Sequence, residues 1–162
     1  MAILFCILGF VTGFLYAFIF FYKPTVIAYE STRRLSSKHL SLYILMKRWL
    51  EMKKHGYKLE RFFLDRGFNR ISIYGMGDVG EMLVEELKDS DISIEYGIDR
   101  RDLDSKGIRV IKPEDMFETV DIVVVTAIGD FEAVYDLISQ KVNCPILSIE
   151  DILFAYESSF YL

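Results

Sequence analysis

Histidine, cysteine and proline are scarce in this chain of 162 residues, and each scarcity closes off a class of chemistry. The two histidines, His39 and His55, precede the strand-rich part of the sequence, so that part has no histidine for a metal cluster or for a His-activated nucleophile. Neither metal ligands nor a catalytic set is assigned. The two cysteines, Cys6 and Cys144, lie in unlike surroundings, an apolar N-terminal run and a late strand-like segment. A disulfide framework is excluded, and a reducing compartment fits. With 3 prolines and no internal repeat or low-complexity tract, the length allows one ordinary domain plus an appendage.

Charge is absent altogether from residues 2 to 22. As a helix at about 1.5 Å per residue this run reaches roughly 30 Å, so the sequence predicts a transmembrane helix over residues 1–23. Phe20, Phe21 and Tyr22 would form an interfacial belt, and Pro24 would end or kink the span. Lys23, Arg33, Arg34 and Lys38 follow the run and no Lys or Arg precedes it. The positive-inside rule therefore puts the N-terminus outside, the body in the cytoplasm and the chain in the inner membrane. Residues 23–61 hold 10 Lys and Arg against 3 Asp and Glu, whereas residues 62–162 hold 9 against 21. A basic stem suits anionic lipid headgroups; an acidic body argues against nucleic acid as a partner.

The stem, residues 24–67, is expected to hold a helix from Ser36 or Ser37 to Lys54 with Leu42, Leu45, Met46 and Trp49 on one face. That face would dock on the body, or serve as a dimerising or membrane-surface helix. A short helix from Leu59 to Asp65 would set Phe62 and Phe63 against a sheet. Residues 68–162 then alternate strand-like and helix-like segments. Strands are expected at 70–74, 92–98, 108–111, 121–127 and 146–149, the fourth being a β-branched run fit for a sheet centre. Helices are expected after Gly77, from Pro113, after Asp130 as a cap, and after Ser148 and Asp151, spaced as a capping box. This pattern gives the fold class α/β, a five-stranded parallel Rossmann-like sheet of order 3-2-1-4-5 flanked by helices.

The chemistry-bearing stretch is Ile-Ser-Ile-Tyr-Gly-Met-Gly-Asp-Val-Gly, residues 71–80, a strand running into glycines spaced G-x-G-x-x-G. Gly75 permits the bend, Gly77 lets backbone amides approach a pyrophosphate, and Gly80 lets the helix pack on the strand. Asp99, 19 residues past Gly80, ends the second strand where an acidic residue grips a ribose diol. The crevice would be lined by Gly75, Met76, Gly77, Asp78, Val79, Gly80, Asp99, Arg100, Thr126, Ala127 and Ile128. Arg100 and Arg101 leave a 2′-phosphate open as an alternative to the free diol. A purely structural role is also open, with glycines for packing, Asp78 for the helix N-terminus and Asp99 for a turn.

The glycine turn, the Tyr-Gly-Ile-Asp-Arg end of the second strand, Gly-Ile-Arg-Val-Ile before Pro-Glu-Asp, and Val-Thr-Ala-Ile-Gly-Asp together resemble a known domain over residues 68–150. It is the Rossmann-like domain of membrane-bound nucleotide-sugar dehydratases and epimerases of bacterial capsule synthesis. The stretch is similar as well to the N-terminal domain of hexapeptide-repeat sugar acyltransferases. Those families carry their chemistry in a further domain that this sequence lacks. The resemblance implies a membrane-anchored accessory or regulatory domain that binds NAD, coenzyme A or a nucleotide-sugar and serves surface-glycan (polysaccharide) enzymes. Two other functions stay in play. One is a degenerate fold acting as an interaction or homodimerisation scaffold. The other is a small NAD-dependent oxidoreductase, for which Tyr74, Tyr96, Asp130 and Tyr135 are the available acid–base groups, without Tyr-x-x-x-Lys spacing.

Overall fold

A computed structural model describes residues 2–102, 105 and 107–158. The chain divides into two compact units, Met1–Leu40 and Ser41–Leu162, taken here one at a time. In the first, helix α1 (Ala2–Ala17) gives way to a five-residue π-helical stretch, Phe18–Tyr22, and then to the start of α2 (Lys23–Lys54).

This division corrects the transmembrane expectation. Among the described residues, no helix is long and apolar enough to cross a membrane. The 16 residues of α1 rise about 24 Å, short of the roughly 30 Å hydrocarbon core. The remaining apolar residues fall in the π-helical stretch, and the helix that follows opens on Lys23. The membrane-spanning partner, the outside N-terminus and the inner-membrane location rested on that span and go with it. Pro24 does not end the helix: it is the second residue of α2, directly after the π-helical stretch Phe18–Tyr22, where the regular α-helical pattern is interrupted. Accordingly α2 begins 13 or 14 residues before the expected Ser36 or Ser37.

In the second unit the later part of α2 docks through the face that its apolar spacing predicts. Leu45, Trp49 and Met52 are buried, in one core with Leu59, and with Phe62 and Phe63 of α3 (Glu60–Leu64). The sheet comprises β1 (Arg70–Tyr74), β2 (Ser93–Ile98), β3 (Val110–Ile111), β4 (Ile122–Val125) and β5 (Ile146–Ser148). All pairings are parallel and the order is β3-β2-β1-β4-β5, as the alternation of segments requires. Both faces are covered, which accounts for the unbroken β-branched run in β4. Ile122 and Val124 join the core with Ile71, Ile73 and helix α4 (Asp78–Leu87). Val123 and Val125 join a second core with Tyr74, Tyr96 and helix α5 (Phe131–Ile138).

Two local expectations are corrected. Pro113 starts a turn rather than a helix: the Asp115 carboxylate accepts the Lys112 N–H at 2.8 Å, and Met116 stands 94% exposed with no apolar face to follow it. Asp130 occupies the N-cap position of α5, but its side chain makes no capping hydrogen bond. By contrast, Ser148 caps α6 (Ile149–Ser158) in the first half of the expected capping box, with Asp151 bonded to its hydroxyl. The Ser148 hydroxyl donates to Asp151 at 2.7 Å and accepts the Asp151 N–H at 2.9 Å.

Candidate nucleotide-binding crevice

The carboxyl ends of β1, β2 and β4 bring together Gly75, Gly77, Asp99 and Thr126, the place where an open parallel sheet offers a crevice. Gly75 turns the chain with φ +99°, a region closed to most side chains. Its N–H donates to the Ile98 carbonyl at 2.8 Å, fastening the turn to β2. On the other side, the Thr126 N–H donates to the Tyr74 carbonyl at 2.9 Å, and its hydroxyl bonds the Tyr74 and Gly75 carbonyls. The last glycine is required by contact: a Cβ on Gly80 would stand 2.2 Å from the Gly75 carbonyl oxygen. That is the close helix–strand approach which the third glycine of a dinucleotide fingerprint provides.

Gly77 differs in kind. Its φ of −83° suits any residue, and among the described residues a Cβ there would meet only the tip of Arg101, at 3.3 Å. The side of the loop above Gly77 is therefore kept open by composition rather than by packing. It adjoins the N-terminus of α4, whose N-cap is Gly77 and whose first N–H groups have no partner within the helix. Asp78 is the first residue of that helix and is exposed.

Asp99 is buried, and its carboxylate is the best-connected group of the site. One oxygen accepts the Met76 N–H at 2.9 Å and Arg101 Nη2 at 3.3 Å; the other accepts the Arg101 N–H at 2.8 Å and Nε at 3.2 Å. Burial alone would raise the carboxyl pKa, but these donors outweigh it and hold it below the usual carboxylate value. Met76 is buried at 1% exposure, its side chain resting where Gly97 has no Cβ; one there would lie 2.6 Å from Met76 Cγ and Sδ.

The remaining predicted residues divide. Val79 and Ile128 pack with the core beside α4, and Ala127 packs with the core on the opposite face. Arg100 is exposed, and its carbonyl accepts Lys112 Nζ at 3.1 Å. It is the neighbouring Arg101 whose guanidinium turns over the loop. The sequence offered Arg101 only with Arg100, for a 2′-phosphate; the signal for its pairing with Asp99 was its position two residues after the strand-ending acid, within reach of that acid's own side chain. Sequence reasoning also missed Asp121, whose carboxylate accepts the N–H groups of Asn69 and Arg70 at 2.8 and 2.7 Å and sets the start of β1 beside β4.

Of the acid–base candidates, Tyr74 and Tyr96 are buried in the sheet, and the Tyr96 hydroxyl donates to the Glu118 carbonyl at 2.7 Å. Burial raises the Tyr96 pKa, so it is a poor proton donor. Tyr135 is 43% exposed on α5. The glycine turn fits a nucleotide phosphate group; at the ribose end, the acid that would hold the diol is already bonded by its own chain.

Fold and crevice together define a parallel α/β sheet with helices on both faces and a fingerprint-type glycine turn at its carboxyl edge. No family model, curated protein or solved structure matches the chain.

Proposed function

We propose that this chain is a nucleotide-binding domain of accessory or regulatory type, taking a nucleotide, dinucleotide such as NAD, or nucleotide-sugar at the carboxyl ends of β1 and β2. The observation that carries the reading is the Gly75–Gly80 contact. The turn is drawn so tightly that a Cβ on Gly80 would come within 2.2 Å of a backbone oxygen, while Gly77 adds no side chain of its own where a phosphate would sit, under the exposed Arg101 guanidinium. The features that support the reading, the glycine turn and the strand-ending Asp99, are ones that bind a nucleotide. A second reading, an interaction scaffold built on a nucleotide fold, is favoured by one specific observation, the full engagement of the Asp99 carboxylate.

Thermal unfolding of the full chain with NAD, NADH, NADP, coenzyme A and UDP-sugars, each in large excess, tests the reading. Ligand at about 100 times its Kd adds roughly 2.7 kcal/mol. One ligand class should raise the midpoint, and Gly77→Leu should abolish the rise while leaving the unliganded midpoint in place. No rise with any of them would leave the scaffold reading.

A further inference from the structure

We propose that Arg101 is an internal occupant of the ribose position, and that a ligand's diol enters by exchanging with its guanidinium on Asp99. The inference rests on the reading of the crevice as a nucleotide site. An ionised carboxylate has about four acceptor positions, and here all four are filled by the chain itself. The four bonds are not alike. Two come from backbone N–H groups, those of Met76 and Arg101, at 2.9 and 2.8 Å, and these are fixed by the fold. The other two come from the guanidinium at 3.2 and 3.3 Å, from a side chain that is 63% exposed against 9% for the carboxylate it covers. When the guanidinium leaves, each oxygen retains one backbone donor and presents one free position. Two free positions on adjacent oxygens are what a cis-diol needs.

The same side chain covers the approach to the glycine loop. Among the described residues, Arg101 Nη2 is the only atom a Cβ on Gly77 would meet within 4 Å, so the guanidinium lies over the glycine that a phosphate would face. Asp78 adds a weaker electrostatic pull on it. Ligand entry thus moves the guanidinium from a carboxylate to the neighbourhood of a phosphate, and at no stage leaves it without an anion. The pair it gives up is solvent-exposed on the arginine side, a setting where ion pairs are weak, so the exchange is within reach of two hydroxyl hydrogen bonds.

The test uses the full chain and two matched pairs of probes, ADP with 2′,3′-dideoxy-ADP and UDP with 2′,3′-dideoxy-UDP, by calorimetric titration. Within each pair the phosphate contacts are common, and the ratio of affinities reports the diol alone. Arg101→Ala should raise that ratio about fivefold, the size expected when an exposed ion pair no longer competes. Arg101→Gln, which keeps most of the stem, should do the same. Adding Asp99→Asn should return the ratio towards one. An unchanged or smaller ratio in the Arg101 variants would overturn the inference while leaving nucleotide binding intact. Failure of every probe to bind the native chain and the variants would overturn the nucleotide reading and this inference with it.

Discussion

Gly77 and Gly80 of the turn and Gly97 of the neighbouring β2 each answer to a different neighbour. Alanine at position 80 would press on the Gly75 carbonyl, a backbone atom that cannot step aside, and should cost about 2–3 kcal/mol. Alanine at Gly97 would press on the flexible end of Met76 and should cost about 1 kcal/mol. At Gly77 it would meet only Arg101 and should stay within about 0.5 kcal/mol. Urea denaturation of the three variants gives the ranking, and a Gly77 variant as destabilised as the Gly80 one would refute the contact argument. Asp99 makes a second prediction at this scale. Its folded-state pKa is depressed below the ordinary 3.8 because the Arg101 side chain and the two backbone donors more than offset burial. As pH falls the unfolded chain therefore takes up this proton first. The stability Asp99 contributes is complete above about pH 4 and disappears as pH drops through the lower folded value. Asp99→Asn should flatten that acid limb in urea midpoints measured from about pH 5 to 2.

At the scale of the elements, the sheet order could be read from the sequence because strands and helices alternate at crossover length, right-handed parallel connections prune the orders to a few, and the glycine turn follows the first strand, as in the order 3-2-1-4-5 that the sheet adopts. Strand ends were less legible: β3 keeps only Val110 and Ile111 of its expected four residues, at the sheet edge where one neighbour sets its extent. The Pro113 segment read as a helix start from proline alone, but Asp115 closes a turn on Lys112 instead. The break at Phe18 was signalled only by Pro24, offered by the sequence as an end or kink; nothing inside the apolar run itself marks where the α-helix stops. Of the site, the glycine turn and the strand-ending acid were legible. The engagement of that acid was not, because it depends on where Arg101 comes to lie in space. Asp121 was unreadable for a similar reason: its partners, Asn69 and Arg70, are 52 and 51 residues away. Asp121→Ala should cost about 1–2 kcal/mol by leaving two N–H groups at the head of β1 without their acceptor. An unaltered urea midpoint would show that water replaces the carboxylate.

For the whole molecule, the uneven spread of apolar surface stands out. The N-terminal unit exposes Ile3, Phe5, Phe10, Phe14 and Tyr16 at 62% or more, far beyond the scattered apolar residues of an ordinary surface. The folded chain should therefore enhance the fluorescence of 8-anilinonaphthalene-1-sulfonate. Phe10→Ser with Phe14→Ser should weaken that signal without altering the far-ultraviolet spectrum; undiminished fluorescence would place the dye elsewhere. The seam along which β1 meets β4 has a consequence of another sort, for the order of assembly. The β1–β2 pair is local, closed by contacts such as Met76 with Asp99, 23 residues apart, whereas the β1–β4 seam joins residues more than 50 apart. Closing the longer loop has the greater entropic cost, so two βαβ halves are expected to form first and meet along β1 and β4 last. Gly75 and Thr126 face each other across that seam, which makes the crevice the final part of the fold to exist. Whatever binds there holds the two halves of the chain shut.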